Sequence, residues 1–286
     1  MKPRAARRSL PPVQDGHPEH REHQDGRSQL AGPAAIGAAL ARGEPLRLIV
    51  LDSEADGEAT RALLAPARAA GVPVQTVGTR HFRRLCTHDA AGGAVALVGG
   101  GPLRDPAQVL AREGPAWLLT SVVYPGNAGS AIRTAEVSGA AGVFLDTDFD
   151  HIKRRDAVRA SMRADRFFPV LWMKSDDVIS AAHDAGRRVI GVEDVGAQPP
   201  WAVDLSGSVL LVVGGEAEGI PATTLERCDH VVRIPMAGFL RTYNLQAAVA
   251  ILAAERMRQL EKPEEPEEPA EQEQPEQPNK LEEQCP

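Results

Sequence analysis

From residue 34 to residue 260 short apolar runs alternate with longer stretches of helical periodicity, and aperiodic polar text flanks them at both ends. In the first block the spacing predicts a small-residue helix at 34–41, a buried strand at 46–51, an amphipathic helix at 59–70, and strands at 72–77 and 94–98. Between the last two lies a basic and aromatic element, residues 80–85. A Gly- and Pro-rich stretch from Gly99 marks a break. The second block opens with an apolar strand at 117–123 and continues with a helix through Arg133 and Glu136, a strand from Gly142 and a basic helix over 151–166. Strands at 168–173, 187–192, 205–213 and 230–235 follow, with a helix at 176–184 and a last helix from Tyr243 to Leu260. Runs apolar on both faces, alternating with helices, predict an α/β domain around a mostly parallel sheet covered on both sides.

The expected organisation is a polar disordered tail at 1–33, a small α/β domain at 34–101, a linker at 102–116, the larger domain at 117–261, and an acidic disordered tail at 262–286. At 286 residues and 43% hydrophobic content the chain can bury a substantial core. The formal charge of -7 misleads, because residues 262–286 hold nine Glu against two Lys and the remainder is neutral. Local basic clusters therefore say more about a polyanionic partner than the total does.

Cys86, Cys228 and Cys285 are far apart, odd in number and without a CxxC pair, so neither a disulfide framework nor a metal site is expected. No membrane helix or signal peptide is expected either, which suits a reducing cytoplasm.

Candidate chemistry sits at three junctions where an apolar run leads into helix-like text: 125–135, 214–219 and 234–244. Strand ends facing helix starts collect backbone N–H donors, and Gly permits close approach to the main chain, so three such junctions suggest one composite ligand site. Arg133 would project from the first turn of its helix, at a packed surface near the loop. Glu216 would follow two Gly at a strand end, and Thr242 and Asn244 suit a helix entrance as caps.

Taken in order, the junctions resemble the signature motifs of the SpoU/TrmH branch of the SPOUT methyltransferases, RNA ribose 2'-O-methyltransferases. The first motif, N-x-G-x-x-x-R-T-A, is matched by Asn127, Gly129, Arg133, Thr134 and Ala135, and the second, G-x-E-x-x-G, by Gly214, Glu216 and Gly219. The third, I-P-M-x-G-x-x-x-S-L-N, is matched by Ile234, Pro235, Met236, Gly238 and Asn244, with Glu255 on the following helix. Thr242 and Tyr243 replace its Ser and Leu, and Met162-Arg163 stands where the family usually has small residues or Gly. The run 146–161 looks most like the thiostrepton and nosiheptide resistance methyltransferases, and 34–100 resembles a small L30e-like RNA-binding domain.

The resemblance implies a C-terminal trefoil knot, a homodimer and S-adenosyl-L-methionine as methyl donor, with no metal. It implies a cofactor pocket at Gly214, Glu216, Gly219, Ile234, Met236, Tyr243 and Leu245. Arg133 becomes the catalytic residue, within a positioning shell of Asn127, Glu216, Thr242 and Asn244. Arg154, Arg155, Arg159 and Arg163, with Arg80, Arg83 and Arg84 beside Phe82, become candidate contacts to RNA, with rRNA favoured over tRNA by the upstream domain. The alternative is a catalytically weak RNA-binding or assembly factor on the same scaffold, or a tRNA ribose methyltransferase.

Overall fold

The structure, a computed structural model, describes residues 29–55, 57–86 and 92–261. Most of both predicted tails, 1–28 and 262–286, lies outside them. The first sheet begins earlier than expected, with strand β1 (Gln29–Ala31) preceding helix α1 (Pro33–Ala41) and strand β2 (Leu46–Asp52). The single helix expected at 59–70 is two short ones, α2 (Glu58–Arg61) and α3 (Leu64–Ala69), broken ahead of Pro66. Strand β3 (Val74–Val77), helix α4 (Thr79–Leu85) and strand β4 (Ala94–Val98) complete a four-stranded sheet in the order β1-β4-β2-β3. Its β2–β3 pairing is parallel and its β4 pairings are antiparallel.

The stretch expected as a linker, 102–116, is part of the second domain. Its helix α5 (Pro106–Leu110) buries Val109 and Leu110 completely or nearly so, and Ala116 already starts strand β5 (Ala116–Thr120). The Arg187 guanidinium fixes this segment, donating to the carbonyls of Leu110 (2.6 Å), Gly114 (2.8 Å), Arg112 (2.5 Å) and Val209 (3.0 Å) while only 2% exposed.

Beyond β5 the chain runs through α6 (Pro125–Val137), β6 (Gly142–Asp146), α7 (His151–Ala160), β7 (Val170–Trp172), α8 (Ser175–Asp184) and β8 (Arg188–Val192). Strand β9 (Val209–Gly214), short helix α9 (Ala222–Leu225), β10 (His230–Val232) and α10 (Leu245–Leu260) finish it. The six strands pair in the order β10-β8-β9-β5-β6-β7, every pair parallel, as the doubly apolar runs predict. Two cores fill the two faces: Trp117, Ile132 and Leu252 belong to the α6–α10 side, and Leu118, Phe144 and Ile179 to the α5–α8 side. Full burial of each such side chain stabilises the fold by roughly 1.5–3 kcal/mol.

The basic helix stops at Ala160, six residues before its expected end. Met162 and Arg163 both take left-handed backbone (φ 58° and 62°), and a 3-10 turn at Ala164–Arg166 follows. Asn244 caps α10 as expected, its side chain accepting from the Gln246 N–H at 3.0 Å. Asn244→Ala is expected to lower stability by about 1 kcal/mol, read from urea unfolding, because that donor is left to water. An unchanged midpoint would remove the cap from the account.

Candidate active site

The order of strands places the three junctions side by side. Thr120 at the end of β5 pairs with Gly214 at the end of β9, Val213 pairs with Val192 of β8, and Val192 pairs with Val232 of β10. The residues that follow β5, β9 and β10 thus emerge from one edge of the sheet, at the point where the chain changes from building one half to building the other. Crevices at such switch points are where open α/β sheets hold ligands.

The contact between the first two junctions is direct. Glu216 accepts from the Val123 N–H (3.2 Å) through one carboxylate oxygen and from the Asn127 side-chain amide through the other. Gly215 makes that approach possible, since a Cβ there would fall on the Ser121 carbonyl. Glu193, just beyond β8, accepts from the Ile220 N–H at 2.9 Å and closes the far side of the 214–219 turn, where Gly215 and Gly219 bridge. Sequence reading missed Glu193, for a lone Glu after a strand carries no spacing signal.

Asn127 and Gly129 do not precede the helix but lie within it, because α6 starts at Pro125. Gly129 is required by packing, as a Cβ there would strike the Ala157 carbonyl and Ala160 of α7. Arg133 consequently sits in the third turn rather than the first. At about 1.5 Å and 100° per residue it lies ~9 Å along the axis from Asn127 and on another side of the helix. It is exposed rather than packed near the loop, and lines an opening between α6 and α10 with Thr134, Gln246 and Met257.

The third junction is more open. Ile234 and Leu245 are buried and Met236 half-buried, whereas 237–244 is exposed throughout, with Phe239 at 98%. The Tyr243 hydroxyl donates to the Pro235 carbonyl at 3.2 Å, tying the two ends of the loop. Thr242 is not a cap; its hydroxyl reaches only the Tyr243 carbonyl at 3.4 Å. No hydrogen bond joins Thr242 or Asn244 to Glu216 among the described residues, so the structure unites Asn127 with Glu216 and leaves Arg133, Thr242 and Asn244 apart from that pair.

The arginine clusters also sort themselves. Arg80, Arg83 and Arg84 are exposed on α4, but Phe82 is buried at 5% in the core of its own domain and presents no ring to a ligand. On α7, Arg154 is committed to the Phe149 carbonyl (3.1 Å) and lies over the Trp172 ring at 4.8 Å, and Arg159 approaches Asp156 at 3.9 Å. Arg155 is exposed, and Arg163 half-buried in its left-handed turn. At the ends of β6 and β7, burial works against the Asp146 carboxylate. Donors from the Ser175 backbone and hydroxyl and from Lys174 outweigh it and hold the acid below its usual range. No cluster of His, Cys, Asp and Glu suited to a metal ion occurs among the described residues. Nor, among them, is any helix long and apolar enough to cross a membrane.

Comparison with known proteins agrees with this geometry. Residues 116–254 match the SpoU rRNA Methylase family. The chain is 27% identical over 244 residues to the 23S rRNA (guanosine-2'-O-)-methyltransferase RlmB of Photobacterium profundum, covering 80% of this chain and 97% of that protein. Among solved structures it is similar to an AdoMet-bound rRNA methyltransferase from Sinorhizobium meliloti, with TM-score 0.55, 25% identity and coverage of 84% and 90%. It is similar also to the SpoU methyltransferase AviRb from Streptomyces viridochromogenes in complex with AdoMet, with TM-score 0.52, 25% identity and coverage of 83% and 91%. With three motifs converging on one sheet edge and matches along most of its length, the chain belongs, through residues 116–254, to the SpoU rRNA methylase family.

Proposed function

We propose that this protein is an S-adenosyl-L-methionine-dependent methyltransferase acting on a ribose 2'-hydroxyl of structured rRNA. The observation that carries the reading is the joining of the first two motifs through Asn127 and Glu216, beside the strand end that delivers the third. The cofactor suits the residues present. Ile234, Leu245 and Met236 are apolar walls for an adenosine, and the exposed backbone of 237–243 offers donors and acceptors for its edge. Gly214, Glu216 and Gly219 form the turn on the other side, and Tyr243 holds the loop closed. When bound, the cofactor supplies an electrophilic methyl group on a sulfonium, for which no metal is needed.

Transfer to O2' forms a C–O bond as the C–S bond breaks, and the hydroxyl proton must leave. Arg133 would orient that hydroxyl or receive its proton; a guanidinium, with five donors and no acceptor, serves more readily as an orienting cation than as a base. Because Arg133 stands apart from the Asn127–Glu216 pair, the reading includes a homodimer that packs α6 and α10 against a second copy and brings Arg133 to the partner's cofactor turn. Exposed Val137, Met257 and Leu260 on these helices support it. Sedimentation is expected to give the mass of two chains; a monomer that still transfers methyl groups would remove the shared site.

The reading also includes the knot. Segment 193–208 lies along β10, with Gln198 bridged to Val232, and under α10, whose Gln259 and Arg256 bond to the backbone of 203–206. That arrangement supports passage of the last helix beneath a preceding loop, an exception to the rule against knotted chains. The N-terminal four-stranded unit is read as an L30e-like RNA-binding domain and the cytoplasm as the site of action.

The test is transfer of tritium from labelled S-adenosylmethionine to total rRNA, with the modified ribose mapped. Label in rRNA at a 2'-oxygen is expected. Cofactor binding with no label in any RNA pool would leave a non-catalytic RNA-binding role on this scaffold.

A further inference from the structure

A cavity of about 350 Å³ lies in the seam between the two domains. One wall is the sheet of the first domain, through Leu48, Val50, Val95 and Leu97. The other comes from the second domain, through Met162, Phe167 and Phe168, with Arg133 and Val137 of α6 at the side. Polar groups interrupt the apolar walls at Gln75 and His81, and Glu136 is the sole carboxylate among the described lining residues. This is a space with room for a planar ring, mostly apolar, with a few groups able to read an edge.

Two further observations say what the ring belongs to. Cations from both domains stand at this cavity, for Arg47 of the first domain and Arg112 and Arg133 of the second line it. Helix α4, which lends it His81 and Leu85, carries Arg84 beside Leu85, while the turn after α7 lends it Ser161 and Met162 ahead of Arg163. An apolar slot between two cationic rims is the arrangement that holds an unstacked base with its phosphates outside. In addition, Met162 reaches the cavity from left-handed backbone, as Arg163 beside it does, a conformation that costs each non-glycine residue roughly 1–2 kcal/mol. Glycine would take that turn without strain but would bring no thioether, a group that packs well on aromatic rings.

We propose that the interdomain cavity is a nucleobase-binding site, in which one unpaired base of the RNA lies between Met162 and the first domain's sheet while its phosphates meet Arg84 and Arg163. The proposal rests on the methyltransferase reading only for the identity of the polymer. The cavity makes both domains parts of one RNA site and gives the otherwise unexplained Met162-Arg163 turn a role.

Ligand-observed NMR with the four ribonucleoside 5'-monophosphates, with ribose 5-phosphate as control, tests it on the full chain. Saturable binding of at least one nucleotide is expected, weakened about tenfold or more by Gln75→Trp, which fills the slot from a half-buried polar position. Met162→Gly, which relieves the backbone and removes the thioether, is expected to keep the fold and to weaken binding. S-adenosylhomocysteine affinity is expected to be the same in all three proteins. No saturable nucleotide binding up to about 10 mM, equal binding of ribose 5-phosphate, or full affinity in both folded variants would each overturn the proposal. Methyl transfer is not the readout, so failure here leaves the methyltransferase reading standing, and failure of transfer leaves this one.

Discussion

Arg133→Ala is expected to slow methyl transfer about a thousandfold, equivalent to ~4 kcal/mol at the transition state, while the affinity for S-adenosylhomocysteine stays within about twofold. The geometry predicts this separation. Arg133 is exposed, has no hydrogen bond or ion pair among those found for the described residues, and stands away from the Asn127–Glu216 pair that shapes the 214–219 turn. Its loss removes a cation without opening the core or the turn. A lysine at 133 separates the two roles open to the side chain: it restores part of the rate if the residue only orients the hydroxyl, and changes the pH profile if the residue takes the proton. Wild-type rates in the alanine protein would end the assignment.

The second large effect is on stability. Arg187→Met is expected to cost about 3–5 kcal/mol, read from urea denaturation of the whole chain. The guanidinium serves four backbone carbonyls from two separate segments, and removing it leaves acceptors at Leu110, Arg112, Gly114 and Val209 without that donor. Burial, aided by the nearby Arg256 charge, draws the Arg187 pKa down, yet five planar donors remain the only fork that fits this site. Lysine should rescue little, since one ammonium cannot reach carbonyls on opposite sides. A loss below about 1 kcal/mol would mean that water replaces the guanidinium.

These two arginines show where the sequence was informative. Arg133 stood inside a dense motif and could be named, but its surroundings could not. Asn127 and Gly129 read as residues ahead of the helix, whereas Pro125 at the first helical position was the signal that the helix had already begun. The parallel sheet was legible because strands apolar on both faces have few alternatives, and Asn244 because a cap is a local property. The contact between Asn127 and Glu216, 89 residues apart in sequence, was not, since it depends on the register of β5 against β9. Arg187 looked like any cation at the start of the strand expected at 187–192; four carbonyls brought together by folding gave it its role. Likewise 102–116 had linker composition because α5 is short, and only its buried Val109 and Leu110 make it core. Helix α7 ends early without a glycine to announce it, for the turn is made by Met162 and Arg163 themselves.

The three residues of β1 also bear on the choice of boundary for the first domain. Pairing antiparallel with β4, they cover one margin of the four-stranded sheet. A fragment begun at residue 34, where helical periodicity starts, would leave the backbone N–H and C=O groups along that side of β4 unmatched. An open strand margin is a template for a strand from another molecule. Such a fragment is therefore set up to associate edge to edge, and one begun before Gln29 keeps the margin closed.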